Sequence, residues 1–197
     1  MDENKDFNTA NEETVELTEQ PYEQPKKSTS REVFEWISSI VIALVIAFLL
    51  RNFVITFVRV DGESMLPTLV NNERLIVIRL GYTPKQGDVV ILDPPNGRGP
   101  YVKRVIGMPG QTVTINNGSV YIDGELQEED YVNNPTFPMS GQSEFVVPEG
   151  SVFVLGDNRE HSHDSRSEDV GFIKKEKVLG KVVCRVWPLN KFGSIEK

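Results

Sequence analysis

Thr112-Val-Thr-Ile-Asn-Asn-Gly-Ser-Val-Tyr-Ile122 decides the fold class. Two short runs rich in β-branched residues, Thr112 to Ile115 and Val120 to Ile122, flank Asn116-Asn-Gly118. Asn and Gly accept the positive φ angles of a tight hairpin turn, so the stretch reads as two antiparallel strands. The same pattern continues outward. Upstream lie Leu75-Ile-Val-Ile78, Val89-Val-Ile-Leu92 between Gly87-Asp88 and Asp93-Pro-Pro95, and Tyr101 to Ile106. Downstream lie Phe145-Val-Val147, Val152 to Leu155 and Val182 to Trp187. Gly and Pro punctuate the whole region, and the one helical hint is short, around Lys174 to Val178. The expectation is a mainly β domain over residues 58–197.

The N-terminal part follows different rules. Trp36 to Leu50 reads WISSIVIALVIAFLL without a charge. Alone it falls short of a ~30 Å hydrocarbon core at about 1.5 Å per residue. Val33 and Phe34 lengthen it on one side, and Phe53 to Val58 continue it past Arg51 and Asn52. Arg51 can snorkel to the headgroups. The run is apolar on all sides, as in a membrane span rather than a soluble helix. Thr29 and Glu32 form a T-x-x-E capping box, which starts the helix near residue 30. No small-x-small cleavage site follows, and an acidic stretch precedes, so residues 30–57 are expected to be a retained transmembrane signal anchor. Residues 1–29 are expected to form a disordered, cytoplasmic acidic tail: up to residue 25 they carry Asp2, Glu3, Asp6, Glu12, Glu13, Glu16, Glu19 and Glu23 against Lys5. Lys26, Lys27 and Arg31 before the run, against Arg51 and Arg59 after it, give a slight positive-inside bias.

The 197 residues suffice for one domain with a core and some extras. A net charge of −8 argues against a nucleic-acid partner. Cys184 is the single cysteine, so no intrachain disulfide can form, and its apolar strand setting predicts a small core residue.

Three motifs carry chemistry. Gly62-Glu-Ser-Met-Leu-Pro-Thr68 places Ser64 just past the membrane run. A serine hydroxyl needs a base before it attacks, and taken alone this loop reads more readily as structural than as catalytic. Tyr101-Val-Lys-Arg-Val-Ile-Gly-Met-Pro-Gly110 sets Lys103 in an apolar strand. Lys103 and Arg104 point to opposite faces, so one can enter an apolar site while the other meets water or a carboxylate. Burial lowers a lysine pKa and makes a neutral amine available as a base. The alternative is an edge-strand lysine that discourages aggregation. Gly156-Asp-Asn-Arg-Glu-His-Ser-His-Asp-Ser-Arg166 is an exposed polar loop or a dense network behind a site. Asp157 and Arg166 are candidates for a bidentate pair that closes it, with Ser162 and Asp164 turned inward.

In this order after an N-terminal anchor, the serine box, the K-R-V-I-G-x-P-G box and the G-D-N-R-x-x-S-x-D-S-R box resemble bacterial type I signal peptidases, with short loops like the Gram-positive branch. The resemblance spans about residues 34–190. It implies a signal-peptidase-type β domain and a membrane-bound serine endopeptidase. Such an enzyme removes signal peptides from exported preproteins through an acyl-enzyme. By position it implies Ser64 as nucleophile, Lys103 as general base and Ser162 as the hydroxyl that orients the lysine. Asp157, Asp164 and Arg166 would hold the site together, and Met65 would belong to shallow pockets for small side chains at −1 and −3. The implied partners are preproteins and the lipid bilayer, with no cofactor, metal or obligate protein partner. One departure stands out. Some members carry, two residues before the nucleophile, a serine that donates to the oxyanion; here that position is Gly62, which leaves backbone N–H groups, chiefly that of Ser64.

Other readings compete. His161 and His163 beside Asp164 suggest zinc or a Ser-His-Asp triad, but the resemblance makes both positions variable, and no Cys-x-x-Cys accompanies them. A phage-type self-cleaving repressor also uses a Ser-Lys dyad but needs a DNA-binding helical domain where this chain has its apolar run. A membrane-anchored binding module without activity is disfavoured because both dyad residues are present.

Overall fold

The structure is a computed structural model that describes residues 29–49 and 54–195. One helix, α1 (Thr29–Leu49), precedes the strands β1 (Ile55–Arg59), β2 (Arg74–Ile78), β3 (Val89–Leu92), β4 (Tyr101–Gly107), β5 (Thr112–Asn116) and β6 (Ser119–Ile122). The strands β7 (Glu125–Leu126), β8 (Glu144–Val146), β9 (Ser151–Leu155), β10 (Ile173–Lys174), β11 (Val178–Trp187) and β12 (Gly193–Ser194) follow. All pairings are antiparallel. The larger sheet has the order β1-β2-β11-β3-β4-β9-β10, with β12 beside β11, and the smaller has β7-β6-β5-β8. The mainly β expectation is met. Lys174 to Val178 supplies only one 3-10 turn, Lys175–Lys177.

The hairpin turn forms at Asn117 (φ 49°) and Gly118 (φ 81°), with Asn116 opposite Ser119. Two central strands of the larger sheet, β3 and β9, are buried along their whole length. On β3 the alternation divides the run: Val89 and Ile91 join one core with Leu75, Val77, Val182, Met65 and Leu69, while Val90 and Leu92 join another with Val105, Val152, Val154 and Ile173. A third core closes the smaller sheet onto the larger, with Val113, Ile115, Val120, Ile122 and Phe145 against Ile106, Phe153 and Leu155. Phe153 is fully buried and lies 4.7 Å, ring to ring, from Phe145. Truncating such a ring to Ala removes about 3–5 kcal/mol.

One expectation is corrected. In the run Phe53 to Val58, read as a continuation of the apolar helix, Ile55 to Val58 instead lie in β1 and pair with β2 in the register Ile55↔Ile78 to Arg59↔Arg74, while Phe53 lies outside the described residues. Apolarity alone does not separate a strand from a helix in so short a run, and the β-branched residues Val54, Ile55, Thr56 and Val58 tip it towards the sheet. Among the described residues α1 runs from Thr29, and it exposes Phe34, Trp36, Ile40, Leu44 and Phe48. Arg31, Glu32 and Glu35 occupy its first two turns. Among the described residues no helix is long and apolar enough to cross a membrane. The acidic stretch up to residue 28, together with Arg51 and Asn52, lies outside the described residues. Cys184, expected in the core, is only half-buried on β11.

Candidate active site

Ser64 sits on the turn between β1 and β2, and Lys103 is the third residue of β4. The fold brings them together: Lys103 Nζ lies 2.7 Å from Ser64 Oγ and 3.1 Å from the carbonyl oxygen of Val102. Lys103 is 4% exposed. Burial pulls its pKa down to about 8, against the upward pull of the Asp164 and Asp157 charges and with a smaller push from Arg166. The carboxylates fail to win because each is already matched to a guanidinium. Asp157 takes Arg104 Nε at 2.9 Å and Nη2 at 2.7 Å, and Asp164 takes Arg166 Nε at 2.8 Å and Nη2 at 2.9 Å.

The sequence reading paired Asp157 with Arg166, and the structure corrects this. Arg166 closes on Asp164, two residues away, and also donates to the Arg159 carbonyl at 2.7 Å. Asp157 instead faces β4 and ties Arg104 to the serine turn, because Thr68 Oγ1 donates to the same carboxylate. Arg104 therefore meets a carboxylate and not water; it is 1% exposed and stacks 3.8 Å from the Tyr131 ring. Ser162 Oγ donates to Asp164 Oδ2 at 2.7 Å, and its buried hydroxyl is held there. The lysine amine has Ser64 and Val102 as its hydrogen-bond partners among the described residues.

Gly156 shows how tightly the polar loop grips the serine turn. A Cβ on it would stand 2.2 Å from Ser162 Oγ and 2.4 Å from the Ser64 carbonyl oxygen, so only glycine fits. The next residues complete the clamp: Asn158 N donates to the Ser64 carbonyl at 3.0 Å, and Asn158 Nδ2 donates to that of Glu63 at 3.1 Å. Arg159, buried, holds Glu129 bidentately and donates to the Gly156 carbonyl at 2.9 Å. Gly156, Asn158 and Arg159 carry no role in the reading of the sequence, although all three lie inside the quoted G-D-N-R segment, which was the available signal.

Gly62 adopts φ 101°, a region that disfavours side chains, and its N–H is engaged by Asn71 Oδ1 at 3.2 Å. The Ser64 N–H makes no hydrogen bond among the described residues. A cleft of about 100 Å³ opens beside the serine, walled by Val58, Met65, Ile91, Tyr101 and Val102. Met65 itself is 1% exposed and is anchored in the core. The histidines lead elsewhere. His161 Nδ1 faces Asn158 Oδ1 at 3.4 Å, and His163 Nε2 faces Asp169 at 2.9 Å.

Fold and site define a β-sheet hydrolase whose serine hydroxyl touches a buried amine. The family model described as signal peptidase, peptidase S26, matches residues 33–187, and the chain belongs to that family of serine endopeptidases. It is 39% identical to signal peptidase IB of Staphylococcus aureus (strain COL), over 82% of this chain and 93% of that one. It is 37% identical to signal peptidase I of Leptolyngbya laminosa, over 87% of each. A crystal structure of a signal peptidase I from Enterococcus faecalis V583 is 34% identical over 51% of this chain and 97% of that chain, with a TM-score of 0.43.

Proposed function

We propose that this enzyme removes signal peptides from exported preproteins by acyl transfer, with Ser64 as nucleophile and Lys103 as general base. The observation that carries the reading is the 2.7 Å contact between Ser64 Oγ and a lysine whose burial brings its pKa to about 8. Neutral Lys103 takes the hydroxyl proton as Oγ attacks the scissile carbonyl. The oxyanion forms opposite the Ser64 N–H, which has no other acceptor among the described residues. The intermediate collapses as Lys103 passes the proton to the departing amine. Lys103 then deprotonates water, which attacks the ester and returns Ser64. Asp157, Asp164, Arg166 and Ser162 act behind this pair by fixing the loop on the serine turn.

The substrate enters as an extended strand. β9 pairs with β4 only from Arg104 onward, so Tyr101 to Lys103 keep an unpaired edge on that side. A peptide hydrogen-bonded there would lay alternate side chains into the cleft beside Met65, which favours small residues before the cut. The site works at a membrane surface, with the apolar helix α1 as part of the anchor, the N-terminus in the cytoplasm and the β body outside. Exposed Phe34, Trp36, Leu44 and Phe48 support a non-aqueous setting for that helix.

The test is processing of a preprotein carrying Ala-x-Ala before the cut, with the new N-terminus sequenced. The wild type should cut directly after the motif, and a folded Ser64→Ala protein should not cut. Processing by Ser64→Ala would end the reading. Protease added to intact protoplasts should remove the β body and spare the N-terminus; the opposite pattern refutes the orientation.

A further inference from the structure

Tyr101 lines the cleft beside the lysine, and its ring centre lies 5.1 Å from Lys103 Nζ. It begins β4 directly after the turn Asp93-Pro-Pro-Asn-Gly-Arg-Gly-Pro100. That turn is fastened at its start, where Asp93 N donates to the Lys177 carbonyl at 2.9 Å. Its middle holds two glycines in left-handed backbone, Gly97 (φ 70°) and Gly99 (φ 89°), which leave it pliable. What fastens the far half is the Asn96 side chain. Its Oδ1 accepts from Arg98 N at 3.2 Å, while its Nδ2 donates to the Tyr101 hydroxyl at 3.3 Å and to Asp169 Oδ2 at 3.2 Å.

Asp169 is fixed in turn. His163 Nε2 contacts it at 2.9 Å, and the other ring nitrogen of His163 lies 3.2 Å from Ser167 Oγ. The same imidazole stands edge-on to the Tyr101 ring at 6.4 Å and 80°. Tyr101 is thus held at its hydroxyl by Asn96 and along its ring by His163, and both supports rest on Asp169. A ring that cannot swing sets a fixed width for the cleft beside the reacting serine.

We propose that Asn96 is a positioning residue for substrate selectivity: anchored by Asp169, its amide fixes the Tyr101 ring as the rigid wall that admits a small side chain and rejects a large one next to the scissile bond. This rests on the signal-peptide-cleaving reading above. Freeing the ring weakens the fit of a small residue, which no longer meets a close wall, and lets a bulkier one displace it. Because Asn96 touches no reacting atom, the change falls on KM and on selectivity rather than on kcat.

The test uses two preprotein-derived peptides that differ only in the residue before the cut, Ala or Leu. Asn96→Ala should raise KM for the Ala peptide about fivefold, the value of one neutral hydrogen bond, with kcat within about twofold. The Ala-over-Leu ratio of kcat/KM should fall by about the same factor. Tyr101→Phe should reproduce both changes, and the double variant should match either single one, because the two substitutions cut one link. Asp169→Ala should behave likewise, while Asp169→Asn, which keeps an acceptor for Asn96, should restore the ratio. Arg98→Ala, which keeps its backbone N–H, should change nothing. An unmoved ratio in Asn96→Ala, a loss confined to kcat, or a double variant equal to the product of the singles would overturn the proposal. If Asn96→Ala does not fold, Tyr101→Phe alone decides by the same two readings, since it removes only a hydroxyl. Cutting by Ser64→Ala sinks the parent reading, whereas Ser64-dependent cutting with an unmoved ratio sinks this inference alone.

Discussion

Lys103 and Arg104 are neighbours on one strand, both cations, and both almost completely buried at 4% and 1% exposure. Their fates differ because of what each meets. Arg104 finds Asp157 in bidentate contact, the Gly87 carbonyl at 2.9 Å and the Tyr131 ring. Lys103 finds a serine hydroxyl, one carbonyl and the Tyr101 ring, with no carboxylate in contact among the described residues. The paired cation becomes a strut. The unpaired one drops to a pKa of about 8 and becomes able to give up its proton near neutrality. A strand can hold both because successive side chains leave it in opposite directions.

The largest break in this contrast comes from removing the reagent. Lys103→Ala should lower kcat/KM by roughly 10⁴-fold or more, on the scale of losing a member of a catalytic constellation. Lys103→Arg should fail as badly, because a guanidinium keeps its proton at any working pH. The wild-type acidic limb should lie near pH 8, with activity rising as the amine deprotonates. His161→Ala should keep kcat/KM within about twofold, since its imidazole faces Asn158 and not the serine. A pH–rate profile on purified variants checks all four. An active Lys103→Ala enzyme beside a dead His161→Ala enzyme would return the base to histidine.

Breaking the strut should be felt first as stability. Asp157→Ala leaves the buried Arg104 charge without its carboxylate and also removes the acceptor of Thr68. We expect a loss of about 3–5 kcal/mol in denaturant unfolding of the purified chain. A change below about 1 kcal/mol would mean that Arg104 reaches solvent or another partner, and that the contrast with Lys103 is weaker than the geometry says.

These two cations also mark the limit of what sequence conveys. The hairpin at Asn116 to Gly118 was legible because turn chemistry is local. Most longer strands were legible as apolar runs, whereas β7, β10 and β12, of two residues each, are too short to carry a period. β1 reads in the sequence as an extension of the preceding apolar run, since what makes it a strand is its partner β2, 15 positions further on at Arg59↔Arg74 and 23 at Ile55↔Ile78. Ser64 and Lys103 were legible through resemblance, and the structure places them in contact. The choice of Arg104 over Arg166 by Asp157 was not, because both cations are available and only the path of β4 beside β9 decides between them. Gly156 was quoted as part of a motif, but its reason, a close approach to the Ser64 carbonyl, exists only across a long-range contact.

The finest test asks what the unpaired cation costs the fold. Burial disfavours the charged amine in the folded chain, so Lys103 has a folded pKa of about 8 against 10.5 as its ordinary value. The sign follows from proton counting. Between these two values the unfolded chain binds more protons, so stability rises with pH across that window. Below about pH 8 both states are protonated and the folded one carries the full penalty, on the order of 3 kcal/mol. Above about 10.5 both are neutral and the penalty vanishes. Lys103→Met keeps a chain of similar length and cannot be charged. It should therefore be more stable than the wild type at pH 7 by up to about 3 kcal/mol, and the advantage should shrink as pH climbs from 8 towards 10.5. Denaturant unfolding of both proteins at pH 7, 9 and 10.5 reads the difference directly. A constant difference across that range would show that packing, not charge, separates the two variants. The lysine would then be no worse placed than Arg104, and the division between strut and reagent would lose its electrostatic basis.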